Sequence, residues 1–193
     1  MTCVLNFYGD RLENIDIVGK PEEKVLITRR GKSTDSRVIN DEKKILAFSN
    51  SNLICGDLIT RKTSKDNNSY FIIAKQATKE CVECQGIRIN AKATICRLDK
   101  QYDDVEYVGS AEEIILEDIP IYFKDVSANM KFYDAGLLKD TTKIIMVQDN
   151  IDIEELYRVK FNGANYQVDN IDVGRYENML YIQLSEDTRA TNE

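Results

Sequence analysis

The stretch Tyr157-Arg-Val-Lys-Phe-Asn-Gly-Ala-Asn-Tyr-Gln-Val-Asp169 decides the fold class. Apolar and polar side chains alternate on both sides of Asn162-Gly163. Asn-Gly between alternating runs is the strongest short-range signal for a two-residue β-hairpin, whose turn needs positive φ at both positions. Outward from it, Met179-Leu-Tyr-Ile-Gln-Leu184 and Lys143-Ile-Ile-Met-Val-Gln148 read as two more strands. Residues 149–156 read as a turn or a single helical turn, 130–138 as a short helix or an irregular loop, and the polar sequence from Ser185 as a fraying tail. Ile119-Pro-Ile-Tyr-Phe-Lys124 suits an edge strand, because proline cannot donate to a central ladder. Ser110 and Glu113 have capping-box spacing, yet the apolar run behind them stops at Pro120, so residues 113–116 read as strand.

The period of two also governs the first half. Lys24-Val-Leu-Ile-Thr-Arg29 and Thr34-Asp-Ser-Arg-Val-Ile39 flank Arg30-Gly-Lys-Ser33 as a hairpin, followed by a short strand over 44–48. A second hairpin joins 58–62 to 70–75 through a polar loop, and 85–89 and 94–98 supply two more strands. So many short extended segments, with turn residues every eight to twelve positions or so, predict a small twisted barrel or sandwich. The chain as a whole reads as mostly β, with two small antiparallel β-barrel or β-sandwich units: an N-terminal arm over 1–20, a first domain over 21–100 and a second over 101–190. The acidic, weakly periodic stretch 101–109 marks the boundary. Both halves contain a hairpin whose second strand opens on an aromatic residue, Tyr70 and Tyr166, which hints at duplicated architecture.

Composition narrows the chemistry. Of 193 residues, 42% are hydrophobic and 31% charged, with 9 glycines and 2 prolines, which suits folded domains and not a linker. No run approaches the ~18 apolar residues of a membrane span, and the start carries no basic leader, so a cytoplasm-like compartment without a membrane partner is expected. Histidine is absent, which removes His-based triads, His-containing metal sites and imidazole general bases. No other groups stand in a catalytic motif, and the chain reads as a non-enzyme without cofactor or metal. Gly31-Lys-Ser-Thr34 lacks the leading glycine of a phosphate loop and sits in a hairpin. Asp103-Asp104 and Glu112-Glu113 are adjacent, so on a strand each pair splits between two faces. Cys81-Val-Glu-Cys84 has redox or half-zinc spacing, but only Cys96 lies near as a further ligand, and the sequence after it looks extended; structural thiols are the expectation.

Net charge is −7, and it is unevenly placed. Residues 1–100 carry 18 lysines and arginines against 13 acidic residues, whereas residues 101–193 carry 8 against 20. Two unlike fields can orient one copy against a neighbour. The basic residues of the first half include Arg29, Arg30, Lys32, Lys43 and Arg61, but aromatic platforms are scarce there, so only weak non-specific contact with DNA phosphates is expected. Phe7 and Tyr8 in the arm, with Arg29, Arg30 and Lys32 around Gly31, are the candidate interface residues.

The motif Gly56-Asp-Leu-Ile59, then Tyr70-Phe-Ile-Ile-Ala-Lys-Gln76, Gln85-Gly-Ile87 and Cys96-Arg-Leu98 resembles a small β-barrel of the neck and head-completion proteins of tailed bacteriophages infecting Gram-positive bacteria. The run from Tyr157 to Asp187 is similar to the closing segment of that group. The resemblance implies a structural subunit of a head-to-tail connector ring, placed in the virion neck after assembly in the host cytoplasm. Its implied partners are further copies of itself, a portal or adaptor protein and tail-terminator or tail-tube proteins. A tail-completion or tail-tube-associated protein is the alternative, and a nucleic-acid-binding β-barrel module is a third.

Overall fold

The structure is a computed structural model, and it describes residues 4–29, 41–62, 68–103 and 106–190. The chain divides into two compact units, Met1–Ile89 with Tyr176–Met179 and Asn90–Arg175 with Leu180–Glu193. Each holds one closed six-stranded antiparallel barrel. The first barrel uses β1 (Glu13–Ile17), β2 (Lys20–Arg29), β3 (Glu42–Phe48), β4 (Leu58–Arg61), β5 (Ser69–Ala77) and β6 (Cys81–Arg88). The second uses β7 (Ala91–Asp103), β8 (Glu106–Asp125), β9 (Lys143–Gln148), β10 (Arg158–Phe161), β11 (Ala164–Tyr176) and β12 (Met179–Glu186).

The two barrels share one topology. Around the first, the order is β1-β2-β3-β6-β5-β4; around the second it is β7-β8-β9-β12-β11-β10, the same order strand for strand. The hairpins opening on Tyr70 and Tyr166 therefore occupy equivalent places, β4–β5 and β10–β11. Alternation fills both interiors with side chains. Ile15, Ile17, Val25, Ile45, Ala47, Ile59, Tyr70, Ile72, Val82 and Cys84 form the core of the first barrel. Ile95, Ile121, Ile145, Val147, Val159, Phe161, Tyr166, Val168, Ile182 and Leu184 belong to that of the second. Each such aliphatic side chain stabilises its barrel by roughly 1.5–3 kcal/mol relative to exposure.

The Asn162-Gly163 hairpin forms as read: Phe161 pairs with Ala164, and both turn residues have positive φ, 51° and 76°. Other elements differ from the reading. Residues 13–17 of the expected arm are a wall strand, since Ile15 and Ile17 alternate into the core. The strand over 94–98 belongs to the second barrel, so the division falls at Ile89 and Asn90 and not at 100. The strand placed at 85–89 begins at Cys81. Pro120 lies in β8 of a closed barrel, ahead of the first β8–β9 pair at Tyr122, where β8 has β7 as its only neighbour. The expected strand over 34–39 and its turn at Gly31 lie outside the described residues. Among the described residues, no helix is long and apolar enough to cross a membrane.

Candidate interface surfaces

The N-terminal segment Val4–Arg11 is a kinked 3-10 helix lying against β2 and β3. Leu5 is fully buried, which ties this segment to its own unit. Tyr8 is exposed, with the Arg11 guanidinium 5.7 Å from its ring centre. The side chain of Phe7 lies outside the described residues, as do Arg30 and Lys32; Arg29 is the exposed last residue of β2. Of the basic residues singled out in the sequence, Lys43 and Arg61 are brought together with Arg29, and Arg88, which the sequence did not flag, joins them.

The second barrel carries a long ribbon. β7 pairs with β10 only through Thr94, Ile95 and Cys96, and β8 pairs with β9 only from Tyr122 onward. The β7–β8 ladder nevertheless continues to Asp103 and Glu106. Beyond Cys96 the two strands have no partner but each other, and such a two-stranded ribbon is marginal by itself in water. Its root is held by ions. Arg158 is 1% exposed, and its guanidinium donates to Glu112 at 3.0 Å, to Asp187 at 2.7 Å and to the carbonyl of Arg189 at 2.6 Å. Lys160 also pairs with Glu112, and Arg97 crosses the ladder to Glu113 at 2.6 Å. Arg189 adds two further bonds to Asp187 at 2.8 and 2.7 Å. Burial alone would raise the Asp187 carboxyl, but the hydrogen bonds from Arg189 and Arg158 outweigh it and hold the group well below the usual carboxylate range. The tail read as fraying is thus pinned through 187–189.

A third surface surrounds helix α1 (Ala128–Tyr133), capped by the Ser127 hydroxyl, which accepts from Met130 N at 3.2 Å. Phe132 and Tyr133 are 82% and 83% exposed and meet edge to face, ring centres 5.1 Å apart. The loop behind them is fixed from below by the buried Gln183. Its Oε1 accepts from Leu138 N at 2.8 Å and Thr141 Oγ1 at 3.0 Å, and its Nε2 donates to Gly136 O at 2.8 Å. Arg175 bonds Asp134 at 2.8 Å and stacks over Tyr181 at 4.2 Å, and its hydrogen bond holds the Asp134 carboxyl below its ordinary value. Two aromatic rings in water on a well-held loop are the composition of an interaction site.

The thiols are not grouped for chemistry. Cys81 and Cys84 stand three apart on β6, so they face opposite sides of the wall. Burial pushes the Cys84 thiol up to about 12, and burial followed by a hydrogen bond with Glu112 pushes Cys96 up to about 12, which keeps both protonated and unreactive. Among the described residues, no three acidic or thiol groups converge as metal ligands. The ribbon and the aromatic pair escaped the sequence reading. Strands without a third neighbour have no one-sided core to impose alternation, and exposure of Phe132 and Tyr133 is set by the loop fold. Set against known protein families and curated proteins, the chain matches none of either.

Proposed function

We propose that the chain is a repeating structural subunit of a phage neck, a connector ring between the head portal and the tail, without chemistry of its own. The β7–β8 ribbon carries this reading. It presents two open strand edges, which other backbones can pair with, on a root fixed by Arg158, Glu112 and Asp187. The filled barrel interiors and inert thiols favour a wall element over a ligand chamber. Opposite charge in the two halves favours a head-to-tail contact, and heterologous contacts that close by rotation make rings. The exposed Phe132 and Tyr133 supply a second contact for a portal or tail partner.

Light scattering and negative-stain imaging of the purified chain test this. Rings or ordered oligomers are expected, and replacing residues 100–110 by a two-residue turn should leave monomers with unchanged β circular dichroism. A full chain that stays monomeric at every concentration, or a shortened chain that assembles equally well, would sink the proposal.

A further inference from the structure

The mouth of the first barrel gathers positive charge on its inner face. Lys43 continues the inward series of Ile45 and Ala47 on β3, and Arg29 that of Val25 and Ile27 on β2. Arg61 follows Ile59 on β4, and Arg88 follows Val82 and Cys84 on β6. Register confirms that these are neighbours: Arg29 is paired with Lys43, Lys43 with Gly86, and Arg88 with Tyr70. The opposing carboxylates are Glu13, which holds Arg61 through two bonds of 2.7 Å, and Asp41, 3.3 Å from Arg88. Four cations against two carboxylates leave an excess of two positive charges at one rim. A concavity of about 440 Å³ opens there, lined by Asp10, Arg11, Glu13, Ile27 and Arg61 among others. The Arg88 Nε atom is buried with no hydrogen-bond partner. Burial, and then the charges of Arg61, Arg29 and Arg88, lower the Lys43 ammonium below its ordinary value, while Asp41 offsets only part of this.

The geometry points to a binding site for a single phosphate-class oxyanion in this mouth, held by Arg29, Lys43 and Arg88. A phosphate monoester brings close to two negative charges in one compact group, matching the excess, together with several acceptor oxygens for the orphaned Nε–H and its neighbours. A single carboxylate supplies half that charge. The ring of six strands admits one such group, which suits free phosphate or the terminal phosphate of a single strand and not a duplex. This site stands independently of the connector reading, since it needs only one folded copy.

Calorimetric titration of the full chain at fixed ionic strength tests it, with inorganic phosphate, succinate, and a short thymidine oligonucleotide with and without a 5′-phosphate. Phosphate is expected to bind at sub-millimolar concentration and succinate at least tenfold more weakly. Arg29→Gln and Lys43→Gln should each weaken phosphate about tenfold, the loss of one charge-assisted hydrogen bond. Two variants on different strands keep the test valid if one fails to fold. A 5′-phosphorylated oligonucleotide that binds tighter than inorganic phosphate assigns the group to a nucleic-acid end; equal binding of the two assigns it to free phosphate. Succinate binding as well as phosphate, or both folded variants binding phosphate unchanged, would overturn the site.

Discussion

The two barrels share a strand order and differ in how they treat charge. In the second, Arg158 lies on the outer face of β10, opposite the inward Val159, and is covered by the tail and the ribbon root. Each of its donor groups meets Glu112, Asp187 or the Arg189 carbonyl. In the first, Lys43 and its arginine neighbours face inward at an open rim, where positive charge exceeds negative. One arrangement is closed and fully partnered; the other is built with charge left over. A protein interior tolerates ions only when they are paired and hydrogen-bonded, so the first pattern fits a structural lock and the second a receptor for a missing anion. The same fold thus holds a ribbon in one copy and presents a charged mouth in the other.

The comparison is broken most forcefully at Arg158. Arg158→Ala leaves Glu112 and Asp187 buried with fewer cations, and removing one partner of a buried pair costs about 3–5 kcal/mol. Urea unfolding should show that loss, and proteolysis should open the ribbon and the tail first. A loss below about 1 kcal/mol would mean that the cluster is hydrated and locks nothing.

Acid probes the same lock more gently. The Asp187 carboxyl is lower in the folded chain than in the unfolded one, so its contribution is fully present above the unfolded value of about 3.9 and is lost as pH falls through the folded value. Stability of the wild-type chain should fall as pH drops below about 4, and Asp187→Asn should flatten that fall while lowering stability at neutral pH. Parallel pH profiles for the two proteins would show that other carboxylates dominate.

Much of the fold was legible because local chemistry and global pairing agree. Asn162-Gly163 supplies both positive-φ residues, and the alternation around it is the alternation of the core, with Val159, Phe161, Tyr166 and Val168 inward. The failures share a cause in distant partners. Glu13-Asn-Ile-Asp-Ile17 holds only two apolar residues and becomes a strand because β2 and β4 close on it. β7 joins the second barrel through Arg158, Val159 and Lys160, far along the chain. Asp187 and Arg189 look like solvated tail until Arg158 is placed beneath them. The cationic mouth was half legible. Lys43 and Arg61 stand out by charge, but Arg88 joins them only once the barrel closes.

The smallest effect carries the sharpest sign. Lys43 sits among like charges, so the folded chain carries a penalty whenever its ammonium is protonated. A base whose folded value is depressed gives stability that rises with pH, because the unfolded chain holds the proton longer. Lys43→Gln removes the penalty. In buffer free of phosphate and sulfate it should leave stability unchanged or raise it by under about 1 kcal/mol, opposite in sign to Arg158→Ala. Adding phosphate should then stabilise the wild-type chain more than the variant, as expected for a ligand that binds only the folded state. Thermal unfolding of both proteins with and without phosphate reads the two terms separately. Should Lys43→Gln destabilise the chain by several kcal/mol without phosphate, Lys43 is a structural cation like Arg158, and the contrast between the barrels disappears.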